Sequence, residues 1–262
     1  MINRKLVAIG GGENGRKIDK DTFLPYETKE IDYEIVSLAN KKKPNFLFIV
    51  HSQLDSLEVQ ESYFQTMKKI YGDMFGCNCK DLKSNELSDS EAVKEKIEWA
   101  DIIYEGGGDT NAMISLWKKN GFDKILFEAW ECGKVISGIS AGAVCWFKIC
   151  NSDVESATNK FETVDCLNWI DLFITPHCDE DGRYESTVNQ IKGTENIALM
   201  LSNKSAIEIV DDKFRIIFSD VEGESSPYVI KAYWQNGVYK EEYLTNTLNF
   251  LPLRELLSRD IL

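Results

Sequence analysis

Short runs of consecutive apolar residues alternate along the chain with segments whose apolar positions recur every three or four residues. Residues 6–9, 46–50, 102–104 and 135–139 are runs of the first kind. Gly10-Gly11-Gly12 ends the first, Pro44 precedes the second, and Gly106-Gly107-Gly108 follows soon after the third. Such bounded runs predict buried strands. Between them, residues 30–39 predict a helix, and Leu57, Phe64, Met67 and Tyr71 share a helical face. The repeat Val93, Ile97, Ala100 and the pairs Ala112, Leu116 and Ile125, Ala129 predict further helices. Another helix is expected over 141–149. Strands that are apolar on both sides and separated by helices belong in a parallel sheet covered on both faces.

The last third changes character. Residues 169–175, 197–201, 206–210, 215–218 and 228–234 read as strands with short connections. Asp211-Asp212-Lys213 and Gln235-Asn236-Gly237 have the composition of hairpin turns. These strands are expected to extend the same sheet in antiparallel fashion, or, over 228–243, to pair across a homodimer. Residues 251–262 read as a short terminal helix. No linker rich in Pro, Gly or Ser and no internal repeat divides the 262 residues, so one α/β domain is expected over 1–262.

Composition narrows the function classes. With 43% hydrophobic and 28% charged residues the chain is globular, and its length supports a core without disulfide or metal staples. A net charge of −13 argues against nucleic acid or an anionic membrane as partner, because phosphate contacts need clustered Lys and Arg. An acidic small substrate is still compatible, since a pocket can be locally positive. Seven cysteines without a CxxC pair read as reduced thiols. The apolar run before Gly10 is too short for a signal-peptide core, and no run reaches the length of a membrane helix. A soluble cytoplasmic protein, monomeric or homodimeric, is expected.

The strongest chemical signal is Gly138-Ile139-Ser140-Ala141-Gly142, a G-x-S-x-G pattern between a predicted strand and a predicted helix. A sharp turn there exposes the serine hydroxyl, and side chains two residues to either side would collide, hence the glycines. The bland alternative is an ordinary serine in a glycine-rich turn. Gly106-Gly107-Gly108-Asp109-Thr110-Asn111 occupies a similar place after a strand. Its glycines let backbone N–H groups approach a developing oxyanion. It lacks the Lys-Ser/Thr of a phosphate loop, and Asp109 or Thr110 can cap the next helix. A serine nucleophile needs a base, and the chain holds only His51 and His177, each directly after a predicted strand. Gly10-Gly11-Gly12 lacks the setting of a dinucleotide loop, so no cofactor is assigned. Asp179 to Asp181 has no companion ligand cluster, so no metal is assigned. The six tryptophans, and Cys145, Cys150 and Cys178, read as core.

Taken together, the early glycines, the Gly106 to Asn111 loop, the Gly138 to Ala143 elbow and Pro176-His177 resemble peptidase family S51, the family of peptidase E (aspartyl dipeptidase) and cyanophycinase. The resemblance spans residues 5 to about 210. It implies a flavodoxin-like, mostly parallel sheet with helices on both faces, similar to class I glutamine amidotransferases, with extra C-terminal antiparallel strands. It implies Ser140 as nucleophile, His177 as base, and an oxyanion hole from the N–H groups of Gly107 and Ala141. The implied substrates are small peptides, by family default dipeptides with N-terminal aspartate. Arg183 and Asn111 are the candidate substrate contacts, with a solvated loop arginine as the plain alternative for Arg183. One position departs from the family. Where its third member is usually a Glu, this chain has Asn203, in Ser202-Asn203-Lys204-Ser205-Ala206. An amide can orient an imidazole but cannot stabilise its charged form as a carboxylate does. Asp179 or Glu208 could serve as the acid instead. Three readings therefore stand: a serine peptidase, a cyanophycinase-like isopeptidase or esterase, and a catalytically weakened binding protein of the same fold.

Overall fold

The structure is a computed structural model that describes residues 3–259 except 17, 20, 21, 55, 154–159, 222 and 224. The first half builds a parallel sheet from β1 (Lys5–Ile9), β2 (Asn45–Ile49), β3 (Asn78–Leu82), β4 (Ile102–Glu105) and β5 (Val135–Ile139), in the order β1-β5-β4-β2-β3. The connecting helices are α1 (Lys29–Leu38), α2 (Leu57–Met67), α3 (Ser90–Trp99), α4 (Thr110–Asn120) and α5 (Phe122–Glu131). Strand side chains alternate between two cores. Leu6, Ala8, Leu47 and Ile103 face Ile97, Trp117 and Leu126 of α3, α4 and α5, whereas Val7, Ile9, Phe46 and Phe48 face Ile31, Ile35 and Phe64 of α1 and α2. The expected parallel sheet with helices on both faces is what forms.

The segment 141–149 departs from the sequence expectation. Only one helical turn, α6 (Ala141–Val144), follows β5, and the chain then becomes β6 (Phe147–Asp153). Ala141 to Phe147 are all buried, so apolar spacing could not separate a helix from a strand there. β6 starts a second sheet with β7 (Phe161–Asp165), β8 (Ile170–Thr175) and, after α7 (Arg183–Gln190), β9 (Ile197–Leu201). The link 202–204 carries the chain from β9 of the second sheet to β10 (Ser205–Val210), which pairs antiparallel with β1 of the first. β11 (Lys213–Phe218) follows through the Asp211-Asp212 turn. β12 (Val229–Gln235) and β13 (Val238–Leu244) return to the second sheet, joined by Asn236-Gly237 with both residues at positive φ. β14 (Leu251–Pro252) and the single turn α8 (Leu253–Leu256) take the place of the longer terminal helix expected, whose last residues, 260–262, lie outside the described ones.

The later strands thus divide between two sheets rather than extending one. The first has the order β14-β11-β10-β1-β5-β4-β2-β3 and the second β13-β12-β9-β8-β6-β7. One apolar cluster runs through both, joining Leu6 and Ile136 to Ile174, Leu199 and Leu201. The consequence for function is geometric: the carboxyl ends of β1, β4 and β5 meet the carboxyl ends of β8 and β9.

Asp32 of α1 is buried beside this framework. It accepts hydrogen bonds from Thr28 Oγ1 at 2.7 Å, Tyr71 Oη at 2.6 Å and Tyr26 Oη at 3.0 Å. Burial outweighs these donors and pushes its carboxyl up from 3.8 to about 6. Between those values the folded state holds a proton that the unfolded state has released, so stability falls as pH rises through this window and levels off above it. Asp32→Asn cannot titrate and removes that slope. Urea unfolding at pH 4 and pH 7 is expected to show the pH difference in stability changing by up to about 3 kcal/mol relative to the parent.

Candidate active site

Ser140 sits between β5 and α6 with φ 55° and ψ −118°, a conformation held by its surroundings. Its N–H donates to Ile9 O at 3.1 Å, and Gly142 N–H donates to Gly106 O at 3.1 Å. The two flanking glycines are steric requirements. A Cβ on Gly138 would lie 2.3 Å from Gly142 O, and one on Gly142 would lie 2.2 Å from Glu105 O. The serine is thus mounted on a turn clamped to the ends of β1 and β4. Behind it, the fully buried Glu105 accepts the Ser52 N–H at 3.1 Å, and burial holds its carboxyl well above the usual range.

The loop after β4 lies against the serine, with the Cβ position of Gly107 only 3.3 Å from Ser140 Cβ. Gln53 Nε2 donates to Gly107 O at 2.8 Å, and Asp109 N–H donates to Ser52 O at 2.9 Å. Asp109 caps α4 by accepting Ala112 N–H at 2.8 Å. Gly107 N–H makes only a long bond, 3.4 Å, to Tyr63 Oη. Tyr63 stays a phenol, because burial pushes its hydroxyl up to about 12. The cap uses the Asp109 carboxylate and not the backbone N–H groups of the glycines.

His177 follows β8 at φ 47°, and its N–H donates to Gly10 O at 3.1 Å. Its Nε2 lies 2.9 Å from Ser140 Oγ, and its Nδ1 lies 2.7 Å from Asn203 Oδ1. The structure therefore brings Ser140, His177 and Asn203 into one chain of hydrogen bonds. Gly11 is the floor beneath it: a Cβ there would lie 2.1 Å from Asn203 Oδ1 and 2.2 Å from His177 Nδ1. Of the two acids considered from the sequence, Asp179 meets Asn203. It accepts the Asn203 backbone N–H at 2.8 Å and Nδ2–H at 3.2 Å. Glu208 is buried on β10 and bonded instead by Arg215 Nε at 2.7 Å.

His51 does not join the serine. It is fully buried, and its Nδ1 accepts the Trp117 indole N–H at 2.9 Å. Burial pushes its imidazole down to about 4, so it remains neutral at physiological pH. Cys178 beside His177 is likewise core, its thiol pushed up to about 12 by burial. All seven cysteines are free thiols.

Ser140 opens on two cavities. One, of about 520 Å³, is bordered by Glu13, Arg16, Gln53, Tyr63 and His177. The other, of about 790 Å³, is bordered by Ala141, Asn111, Asp153, Glu162 and Arg183. Asn111 is exposed on α4. Arg183 is not a solvated loop residue: it is 2% exposed, begins α7, and lies over the Phe161 ring at 4.5 Å. Its Nη2 bonds Asp153 at 2.7 Å and Glu180 at 3.2 Å. Among the described residues no group of three or more His, Cys, Asp or Glu is placed to hold a metal ion. No helix among them is long and apolar enough to cross a membrane.

Sequence reasoning missed the floor role of Gly11 and the anchoring of the glycine loop by Gln53. Three consecutive glycines exceed what a turn needs, and that excess was the available signal for the first. The second is a contact between distant segments and leaves no local trace.

Comparison with known proteins agrees with this architecture. The pattern defining "Peptidase family S51" matches residues 20–217. The chain is 28% identical over 176 residues to "Uncharacterized peptidase YgaJ" of Bacillus subtilis, covering 67% of this chain and 69% of that protein. It is 32% identical over 124 residues to "Uncharacterized peptidase Lmo0363" of Listeria monocytogenes, covering 45% and 60% respectively. A crystal structure of a peptidase from an acI-B1 Actinobacterium shares the fold, with a TM-score of 0.68 at 20% identity over 95% of this chain and 96% of that one. With its family pattern matched over most of its length, this chain belongs to peptidase family S51.

Proposed function

We propose that the chain is a serine-type peptidase acting on small peptides. The observation that carries the reading is the 2.9 Å contact between His177 Nε2 and Ser140 Oγ, made on a strained turn between strand and helix. His177 takes the hydroxyl proton as Ser140 attacks the scissile carbonyl, forming an ester-linked acyl-enzyme through a tetrahedral intermediate. The N–H groups of Gly107 and Ala141 receive the oxyanion. Gly107 is suited to this because its carbonyl is held by Gln53 while its N–H makes only the long bond to Tyr63. His177 then protonates the leaving amine, and a water deprotonated by the same imidazole hydrolyses the ester. Asn203 holds the ring so that Nδ1 carries its proton and Nε2 is free to accept one.

A peptide bond lying over Ser140 places the residues on its two sides in the two cavities, which suits short substrates. Asn111 contacts substrate in the larger cavity, and Arg183, shared between Asp153 and Glu180, shapes its wall. Dipeptides beginning with aspartate, the class that family membership suggests, are the first compounds to test.

Hydrolysis of a dipeptide panel led by Asp-Leu is expected for the native chain and not for Ser140→Ala or His177→Ala, each losing at least about 10³-fold in kcat/KM. Activity that survives in either variant removes the serine mechanism. Activity is also expected to be unchanged in EDTA, and a loss there would redirect attention to a metal. Gly11→Ala forces the His177 and Asn203 side chains off their floor. It is expected to slow labelling of Ser140 by a fluorophosphonate about 100-fold while the fold persists, as checked by circular dichroism.

A further inference from the structure

We propose that Asp179 is the charged end of a four-residue relay, Ser140–His177–Asn203–Asp179, and acts on the histidine only through the asparagine amide. The inference rests on the Ser-His reading above and adds a residue to it. Asp179 grips Asn203 at two points, the backbone N–H at 2.8 Å and the side-chain Nδ2 at 3.2 Å. An ionised carboxylate only accepts hydrogen bonds, so Nδ2 must point at Asp179 and Oδ1 must point at His177. Oδ1 in turn accepts only, so the proton of the neutral ring sits on Nδ1 and the lone pair of Nε2 faces Ser140 Oγ. If the Asn203 amide turned over, its NH₂ would face Nδ1, the ring proton would move to Nε2, and the serine would have no base. The carboxylate therefore sets the tautomer two residues away from itself. It also places a negative charge behind the imidazolium that forms during attack, which the amide alone does not supply.

Glu180 is the other acid near the ring. Its Oε1 is 3.6 Å from His177 Nδ1, too far for a hydrogen bond, and its Oε2 is engaged by Arg183. Asp179 is thus a positioning residue, and Glu180 belongs to the loop's attachment to Arg183.

The test uses the intact chain. Asp179→Ala is expected to lower kcat roughly 10- to 100-fold, the scale of a lost charge-assisted hydrogen bond, with little change in KM. The double variant Asp179→Ala with Asn203→Asp places a carboxylate directly on Nδ1 and is expected to recover most of that loss. Glu180→Gln is expected to stay within about threefold of native, the scale of a weak exposed charge contact. A second readout needs no substrate. The chain has two histidines, so ¹⁵N spectra of histidine-labelled protein give two imidazoles. His51, whose Nδ1 accepts from Trp117, is the Nε2–H form when neutral, and His177 is expected to be the Nδ1–H form in the native chain. Asp179→Ala should shift His177 toward the Nε2–H form. An unchanged kcat and an unchanged tautomer in Asp179→Ala overturn the relay while leaving the serine mechanism standing. A loss that Asn203→Asp fails to recover, with the tautomer unmoved, assigns Asp179 a purely structural role and overturns the relay as well. If the native chain cleaves nothing and Ser140 resists a fluorophosphonate, the peptidase mechanism fails, and the tautomer comparison still decides whether Asp179 governs His177.

Discussion

The hydrogen bond from His177 N–H to the Gly10 carbonyl ties the end of β8 in one sheet to the end of β1 in the other. The rest of the site depends on that junction. Ser140 belongs to the first sheet through β5, whereas His177 belongs to the second through β8. Asn203 lies in the short link that crosses between them. Each group of the hydrogen-bonded chain therefore comes from a different part of the seam. Lys204 N–H on Gly11 O closes the seam beside that junction, and Cys178 N–H on Leu201 O holds the ends of β8 and β9 together. With these bonds made, side chains have little freedom left, and a 2.7 Å and a 2.9 Å contact follow from where the strands end.

Close approach at the seam is possible only because backbone meets backbone. Gly10 has no space for a side chain, since a Cβ would lie 2.5 Å from Ser202 O. The glycine after β4 and the pair around Ser140 extend the same condition to the elbow. Strained residues concentrate here, with Ser140 at φ 55° and His177 at φ 47°. Such conformations cost on the order of 1–3 kcal/mol each and persist where neighbouring contacts over-determine them. The apolar cluster shared by both sheets supplies that constraint.

The elements of the first half were legible because their strands are buried on both sides and their helices are amphipathic. The elbow was legible because glycine, serine and glycine at fixed spacing leave little else for a strand-to-helix turn to be. His177 and Asn203 were placed by family resemblance, and the structure sets them side by side. What the sequence could not separate was one sheet from two. Residues 141–149 are apolar throughout their first half, so period 2 and period 3.6 fit equally well. The pairing partners of β9, β10 and β12 depend on strands far away in the chain, and no local pattern encodes them. Arg183 misled for a related reason. Three acids precede it and suggest a solvated loop, yet Phe161 and, 30 residues earlier, Asp153 enclose it.

The link 202–204 is both a segment of the candidate site and the tether between the two sheets. Its amides and side chains are engaged by Asp179, Gly11, Tyr228 and Ser225. Asn203 is therefore carried on a segment bonded to both sheets. Moving the link's backbone disturbs its bonds to Gly11 on one side and Tyr228 on the other, whereas the Asn203 side chain can turn with both intact. The backbone that carries Asn203 is thus held by the same contacts that hold the two sheets together.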